Sequence, residues 1–372
     1  MIRSTVAHVD LAALQANFRA IQEFVGAPRI IAVVKANAYG HGSARVGLAL
    51  EQAGATMLAC ADIEEGIAIR QAGVRVPILV FGALSVSDLD GLFEFALTPT
   101  ISTPGAARAV QAAATRHQTT IGYHLKIDTG MNRLGFRHDN LRRTLPDLLS
   151  SANLRLEAVY THFASADVPE SPVFNEQRER FESAWSVVNE LRPTAPIFRH
   201  ACNSAALLRD SRVWYDAVRP GLLLYGLVPP PLASTIQLTP VMSLTSRVVG
   251  VKGLRPGEGV GYGLRYQADS PRTIAVIPAG YADGLDTRLC GRGHVLLRGQ
   301  RAPIVGAVSM DMITVDVTNL GDIQPGDEVV ILGRQGNEIW QQIDAREVAA
   351  AIGTIPWEIV CRLGTRIERQ YD

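Results

Sequence analysis

Short apolar runs alternate with longer amphipathic stretches along the first two-thirds of the chain. Each run is rich in β-branched residues and bounded by turn residues, which is typical of a buried strand. The predicted strands lie near 30–35, 57–61, 77–81, 97–101, 121–127, 154–161, 197–200 and 215–219. Apolar residues at helical spacing predict helices between most of them, at 43–53, 63–72, 104–116, 138–150 and 173–190.

These segments form eight βα-like units, and strands separated by helices pair in parallel. Eight units within this length fit a closed (β/α)₈ barrel, of the TIM type, better than an open doubly wound sheet. Asp10 is placed to cap a first helix that stops at Gly26-Ala-Pro28. We therefore expect the barrel to occupy residues 10–232.

The pattern changes after the proline-rich segment 228–232. Strand-like runs joined by glycine turns follow, at Val241–Lys252, Arg272–Ile277, His294–Arg298, Ile313–Val317 and Glu328–Leu332. One helix is predicted, with Asp344 and Glu347 as a capping box and Gly353 at its end. The sequence thus predicts a mainly β domain over 238–372, with which residues 1–9 are expected to pair.

Composition and charge narrow the class of partner. The 372 residues are 47% hydrophobic and 19% charged, and 36 basic residues balance 36 acidic ones. Without a basic cluster there is no electrostatic signature for nucleic acid or an anionic membrane, and no run approaches the ~20 apolar residues of a membrane span. We expect a cytoplasmic protein whose partner is a small molecule.

Metal and disulfide chemistry are not indicated. The four cysteines are far apart without a Cys-x-x-Cys pair, which argues against a disulfide framework and a zinc site. His41, His124, His162 and His200 occur singly, so satisfied core or supporting roles outweigh metal ligation.

One lysine stands at the end of a strongly apolar strand. Lys35 follows Ile30-Ile-Ala-Val-Val, and burial disfavours a lysine's charged form and lowers its pKa. A desolvated lysine is a typical nucleophile for a Schiff base with a carbonyl, including the aldehyde of pyridoxal phosphate. The alternative is a lysine that extends from the strand end into water.

Reactive groups of such barrels lie at the C-terminal ends of the strands, and the loops after strands seven and eight often bind phosphate. Ser204 begins a predicted helix after strand seven, and Gly221 allows close backbone approach after strand eight. A plain helix cap and a plain Pro-Gly turn are the alternatives. The other chemically notable residues at these ends are Lys126, Arg133, His162 and Arg219. For the two arginines, structural ion pairs remain the alternative to binding a ligand carboxylate or ring nitrogen.

The β domain presents a tyrosine between two glycines, in Gly259-Val-Gly-Tyr262-Gly. Gly280-Tyr281-Ala-Asp-Gly284 and Ser309-Met310-Asp311 are similar short interruptions between predicted strands. Ordinary glycine-rich turns would also explain all three.

Taken in order, these segments resemble the alanine racemases of the fold type III class of pyridoxal phosphate enzymes. The resemblance runs from about Thr5 to Ile367, and its order across two domains makes coincidence an inadequate explanation. The matching motifs are Ala-Val-Val-Lys35-Ala-Asn-Ala-Tyr39-Gly-His-Gly, Lys126-Ile-Asp-Thr-Gly-Met-Asn-Arg133-Leu-Gly, Thr-His162-Phe, Arg219-Pro-Gly, Gly-Tyr262-Gly, Gly-Tyr281-Ala-Asp-Gly and Met310-Asp311.

The resemblance implies a pyridoxal phosphate-binding barrel, a C-terminal β domain and a homodimer with shared active sites. By that resemblance, Lys35 would carry the cofactor and Tyr262 of the partner subunit would be the second base. The implied phosphate ligands are Tyr39, Ser204, Gly221 and Leu222; Arg219 would face the pyridine nitrogen with His162 behind it, and Arg133 with the backbone of Met310 would bind the substrate carboxylate.

Three positions qualify the resemblance. Thr365 stands where many members have a tyrosine that contacts phosphate, and Ser309 stands where a cysteine is frequent. Lys126 matches a lysine that is carbamylated in some members. The predicted function is two-base racemisation of alanine, supplying D-alanine for peptidoglycan. The alternatives are a racemase of serine or another amino acid, or a non-catalytic pyridoxal phosphate carrier.

Overall fold

A computed structural model describes residues 4–84, 88–192, 196–336 and 340–372. The chain divides into two compact units. The barrel unit comprises Leu14–Ala38 and Ser43–Leu238, and the β unit comprises residues 4–13, Tyr39–Gly42 and Thr239–Asp372. Of the N-terminal segment 1–9, Met1–Arg3 lie outside the described residues, and the remainder contains strand β1 (Val6–Val9).

The barrel unit is a closed ring of eight parallel strands, as the spacing of apolar runs predicted. Apolar side chains dominate these strands because both faces are buried, one by the barrel interior and one by the helices. Strand pairs β5–β6 and β10–β2 complete the ring. The strands are β2 (Arg29–Val33), β3 (Met57–Cys60), β4 (Ile78–Val80), β5 (Thr98–Ile101), β6 (Ile121–Asp128), β8 (Leu154–Tyr160), β9 (Phe198–Asn203) and β10 (Ala217–Arg219); a short β7 (Phe136–Arg137) extends the sheet beside β6.

Helices begin where side chains satisfy the free N–H groups of a first turn. Asp10 accepts from the N–H of Ala13 at 2.7 Å, and Thr103 accepts from Ala106 at 3.1 Å. The helix expected over 138–150 is two short helices, because Pro146 cannot continue the first. The helices are α1 (Leu11–Val25), α3 (Ser43–Gln52), α4 (Ile63–Gln71), α5 (Asp90–Glu94), α6 (Pro104–Arg116), α7 (Leu141–Thr144), α8 (Pro146–Leu149), α9 (Val173–Leu191) and α10 (Ser204–Arg209); the segment α2 (Lys35–Tyr39) is a single turn with left-handed φ angles.

The β unit is built on one ten-stranded sheet in the order β12-β15-β18-β17-β16-β19-β11-β1-β21, with β20 beside β19. The strands are β11 (Met242–Arg247), β12 (Gly250–Leu254), β15 (Arg272–Ile277), β16 (His294–Leu297), β17 (Gln300–Val305), β18 (Ile313–Asp316), β19 (Glu328–Gln335), β20 (Gln341–Ile343) and β21 (Glu368–Tyr371); β13 (Gly259–Val260) and β14 (Tyr266–Gln267) form a separate hairpin. Helices α11 (Ala345–Ile352) and α12 (Pro356–Cys361) complete the unit.

Two expectations for the β unit need correction. The apolar run Val241–Lys252 is not one strand, because its two halves pair with β19 and with β15 in different parts of the sheet. Glu347 does not close a reciprocal capping box: its N–H donates to Asp344, but its carboxylate pairs with Arg301. Strand β17 was not predicted because Pro303 interrupts its apolar residues, and β20 and β21 were not predicted because their charged or glutamine-rich sequences lack an apolar run.

The first and last strands of the β unit lie side by side. Strand β1 pairs antiparallel with β11 and parallel with β21. In β1, Ala7 and Val9 are buried while the alternate residues are not, which is the period-two pattern of a strand with one core face. Across the described ranges, no helix is long and apolar enough to cross a membrane.

Candidate active site

Lys35 emerges from β2 into a strained backbone. Ala36, Asn37, Ala38 and Tyr39 all have left-handed φ angles of 52–54°. This conformation costs a non-glycine L-residue about 1–2 kcal/mol, so tertiary contacts must hold it. Within the barrel unit, the N–H of Asn37 donates to Glu65 at 3.1 Å, and the side chain of Asn37 accepts from the N–H of Ser43 at 2.8 Å. The sequence carries no signal for this turn.

Arg219 is the best-anchored cation at the C-terminal ends of the strands. It is 3% exposed and ends β10, the strand that pairs with the strand of Lys35. One terminal nitrogen donates to Nδ1 of His200 at 2.9 Å; the other donates to the carbonyl oxygens of Thr161 and Ala201 at 2.9 and 3.0 Å and to Nδ1 of His162 at 3.2 Å. For Nε–H, the residues that the structure describes offer no acceptor. That N–H remains available to a ligand.

A histidine relay runs from Arg219 into the barrel. Because arginine only donates, Nδ1 of His200 must accept, and its Nε2 therefore carries the proton. That N–H donates to Nδ1 of His124 at 3.0 Å. The Nε2–H of His124 is then buried without a partner among the described residues. Histidines that looked like satisfied core residues thus set the environment of the arginine.

Both relay histidines are neutral at physiological pH. Burial, with the nearby charge of Arg219, lowers the pKa of His124 to about 3 and that of His200 well below its usual range. Burial also lowers the pKa of Arg219 to about 10, still high enough to keep it protonated. Its acceptors among the described residues are all neutral groups, and none of those residues pairs a carboxylate with its charge.

A second buried cation lies near the first. Lys126 is 6% exposed on β6, and burial, followed by the charges of Arg133 and Arg219, lowers its pKa to about 8. The ring of Tyr160 lies 5.6 Å from the Lys126 ammonium and 5.2 Å from the Arg219 guanidinium, stacked on His200 at 4.6 Å. Tyr160 was not predicted, because a strand aromatic is indistinguishable from core packing in sequence.

The remaining predicted cations face the same region. The charges of Arg219, Lys126, Lys35 and Arg133 all act to lower the pKa of His162, after burial as the largest cause. Arg133 is exposed on the loop after β6, and the described residues provide no carboxylate partner for it. A structural ion pair, the alternative for Arg133 and Arg219, is therefore absent from both among the described residues. An anionic ligand would satisfy this cluster.

Two loops meet at the hydroxyl of Ser204. Its Oγ accepts from the N–H of Gly221 at 3.0 Å and lies 3.5 Å from the N–H of Leu223. Asn203, not Ser204, is the cap of α10, because its side chain accepts from Ala206. Ser204 and Leu222 are the first residues of their helical turns, whose N–H groups have no intrahelical acceptor. These loops suit a phosphate.

Three predicted site residues belong to the β unit. Tyr39 is buried, and burial raises the pKa of its phenol above its usual range. Tyr262 is 78% exposed at the tip of the β13–β14 hairpin, between Gly261 and Gly263, which both have positive φ. Met310 is half exposed, and its backbone N–H has no acceptor within the described part of the chain.

Both parts of the chain match models of one protein family. Residues 9–229 match the model described as "Alanine racemase, N-terminal domain", and residues 241–371 match "Alanine racemase, C-terminal domain". The chain belongs to the alanine racemase family. It is therefore an amino-acid racemase, an isomerase.

Full-length alanine racemases are among its relatives. The alanine racemase of Halothermothrix orenii is 40% identical over 371 residues, covering 99% of this chain and 97% of that protein. The alanine racemase of Symbiobacterium thermophilum is 39% identical, covering 100% and 97%.

Solved alanine racemase structures have the same fold. The enzyme from D-cycloserine-producing Streptomyces lavendulae has a TM-score of 0.94 at 32% identity, covering 100% of this chain and 98% of that one. The Bartonella henselae enzyme, described with covalently bound pyridoxal phosphate, has a TM-score of 0.87 at 28% identity and 99% coverage of both chains.

Proposed function

We propose that this racemase interconverts L- and D-alanine with pyridoxal phosphate carried on Lys35. The observation that supports this most directly is the environment of Arg219. We call Arg219 and its neighbours His162, His200, Tyr160 and Lys126 the Arg219 corner. A buried guanidinium with one unused N–H, on the strand next to that of Lys35, is suited to meet an uncharged ring nitrogen, because arginine can donate a hydrogen bond but does not give up its proton. We propose that the product D-alanine supplies cell-wall peptidoglycan.

The described residues fit the cofactor's other groups. Ser204 with the N–H groups of Gly221 and Leu222 would hold the phosphate, together with the phenol of Tyr39. His162 supports Arg219 from behind through its 3.2 Å hydrogen bond. Arg133 and the free N–H of Met310 would bind the carboxylate of the amino acid. Thr365 is exposed and is left outside the site.

Racemisation requires one base on each face of the substrate Cα. When bound, pyridoxal phosphate supplies an electron sink that acidifies the Cα–H of the attached amino acid. The amine of Lys35 would move the proton on one face, and the phenol of Tyr262 on the other. A neighbouring cation such as Arg133 would favour transfer of the phenol's proton to the substrate.

We propose that Tyr262 acts in the site of a second copy of the chain. At 78% exposure its phenol is solvated, whereas a base that works in a water-excluded site must be covered. Leu264, Tyr281 and Met310 are also exposed large apolar residues of the β unit, each more than 45% accessible. Such exposure is typical of a surface that a partner covers. We therefore propose a homodimer with shared active sites.

The lysine content makes the cofactor assignment easy to test. The chain has only three lysines, Lys35, Lys126 and Lys252. After loading with pyridoxal phosphate, borohydride reduction fixes the cofactor on the lysine that carries it, and peptide mass mapping identifies that lysine. We expect the label on Lys35, its loss in Lys35→Ala together with racemase activity, and its retention in Lys252→Ala. Label on Lys126 or Lys252, or racemisation by Lys35→Ala, would overturn the assignment.

The substrate is tested separately. An assay that couples D-amino-acid release to an oxidase, run on several L-amino acids, should give its highest kcat/KM with alanine. A higher value with serine would make this a serine racemase. Bound cofactor without D-amino-acid release would identify a carrier protein instead.

A further inference from the structure

The end of the chain holds the turn Tyr39–Gly42 through one arginine. Arg369, on β21, donates from Nε to the carbonyl oxygen of Gly40 at 3.0 Å. Its terminal nitrogens donate to the carbonyl oxygens of Gly364, Ile367 and Leu363 at 2.9, 2.7 and 2.8 Å. The guanidinium therefore ties this turn to the loop that precedes β21.

Two glycines let the turn approach the C-terminal residues more closely than any other residue would. A Cβ on Gly40 would lie 2.2 Å from the carbonyl oxygen of Val360, and one on Gly42 would lie 1.9 Å from the hydroxyl of Tyr371. Both glycines have positive φ, 84° and 96°. Space and backbone conformation both exclude a side chain here.

The two residues of β21 that lie close to the turn, Arg369 and Tyr371, are on one face of the strand. Arg369 and Tyr371 are partly buried, while Glu368 and Gln370, on the opposite face, are exposed. Strand β21 is itself fixed, because it pairs with β1 along its whole length. The turn is thus braced against a sheet rather than a free chain end.

The turn needs such support because of its backbone. Four consecutive non-glycine residues, Ala36 to Tyr39, hold left-handed φ angles immediately before Gly40. A strained conformation of this kind persists only where surrounding contacts impose it. Along the chain, this strained segment connects Lys35 to Tyr39, the two ends of the proposed cofactor attachment.

We propose that Arg369 and Tyr371 are positioning residues that preorganise the Lys35–Gly42 segment for the cofactor. They act through the backbone of Gly40 and Gly42 and contact neither cofactor nor substrate. The consequence for cofactor binding rests on the proposed function, since it assigns Tyr39 to the phosphate. The consequence for backbone order does not.

Arg369→Met tests the proposal, because it keeps most of the apolar stem and removes every donor. Gln370→Met is the matched control on the exposed face of the same strand, and Arg369→Lys is the conservative variant. Each protein is prepared without cofactor, and amide hydrogen exchange of residues 36–43 is followed by mass spectrometry. The dissociation constant for pyridoxal phosphate is then measured by absorbance titration.

We expect faster exchange of residues 36–43 in Arg369→Met, unchanged exchange in Gln370→Met, and partial recovery in Arg369→Lys. Cofactor affinity should fall on the order of tenfold in Arg369→Met because, of the four hydrogen bonds that are removed, only the charged one to Gly40 reaches the turn. Unchanged exchange in Arg369→Met, or an equal change in the control, overturns the bracing. Faster exchange with unchanged cofactor affinity overturns the positioning role. A wild-type protein that binds no cofactor counts against the proposed function alone, because the exchange result still decides the bracing.

Discussion

Arg219 and Tyr262 lie in opposite environments, the first buried at the Arg219 corner and the second exposed at the tip of a hairpin. Arg219 is 3% exposed, and its two terminal nitrogens are fixed by the four hydrogen bonds that they donate to neutral acceptors. Tyr262 is 78% exposed between two glycines of positive φ. Its position is set by a short 3₁₀ turn, Tyr262–Leu264, rather than by packing. Arg219 is held in place by neighbouring residues of its own chain. Most of the Tyr262 side chain, in contrast, is left uncovered by the residues that the structure describes.

This difference indicates where the reaction's requirements are met. In the proposed mechanism Arg219 would tune the electronics of the cofactor ring, which requires a fixed position, and burial and backbone carbonyls hold it. A base that exchanges protons with the substrate needs a specific partner surface to desolvate it. We therefore expect substitutions at the corner to affect stability and substitutions at the tip to affect rate.

Tyr262→Phe should cause the largest loss of activity among these variants. Removing a general base costs about 10²–10⁴-fold in kcat, here for the reaction that starts from L-alanine, while the melting temperature should not change because the hydroxyl is exposed. Tyr266→Phe is the control: it is the other tyrosine of the hairpin, and its hydroxyl lies 3.4 Å from Asp316. Turnover equal to wild type in Tyr262→Phe would remove this residue from the catalytic pair.

The pH dependence of stability tests whether Lys126 is a buried cation at the Arg219 corner. Its pKa of about 8 in the folded chain lies below the ordinary lysine value. Between these two pKa values the unfolded state binds more protons, so stability should rise with pH across about 8 to 10.4. Below about 8 both states are protonated, and the folded state bears the full cost of the buried charge, about 3 kcal/mol.

Urea unfolding in bicarbonate-free buffer measures this effect. Lys126→Met should be more stable than wild type at pH 7, and the difference should disappear as the pH approaches 10.4. Lys252→Met, at an exposed position, should show no such trend. Added bicarbonate should stabilise wild type but not Lys126→Met if the lysine forms a carbamate. A stability difference between the two proteins that does not depend on pH would contradict the buried-cation interpretation.

Substitutions in the histidine relay should change the free energy of unfolding least. They test whether the hydrogen-bonded chain starts at Arg219 and continues through His200 to His124. His200→Phe keeps the stacking on Tyr160 but removes the acceptor of a charged donor, at a cost of about 1.5–3 kcal/mol in unfolding free energy. His124→Phe removes an acceptor of a neutral donor and also the unpartnered Nε2–H, so it should cost less than about 1 kcal/mol. An equal or larger cost for His124→Phe would show that the relay does not run outward from Arg219.

The periodicity of apolar residues and the positions of turn residues were sufficient to predict the architecture. Alternating apolar runs and amphipathic stretches predicted eight parallel strands because burial on both faces leaves a readable pattern, and the ends of those strands identified Lys35, Lys126 and Arg219 as candidates. The pattern missed β17, whose buried Ala302, Ile304 and Val305 are interrupted by Pro303. It also missed β20 and β21, which have little apolar content and are held by pairing with β19 and β1.

The charges, tautomers and backbone conformations of these candidates follow from contacts made in the folded chain. The relay joins Arg219 to His200, 19 positions away, and His200 to His124, 76 positions away, across parallel strands. The left-handed segment from Ala36 to Tyr39 contains no glycine that would predict it. Burial lowers pKa values and imposes backbone strain only after the chain has closed, because both effects depend on neighbours that are distant in sequence. The residue types are written in the chain, but their charges, tautomers and backbone conformation are properties of the fold.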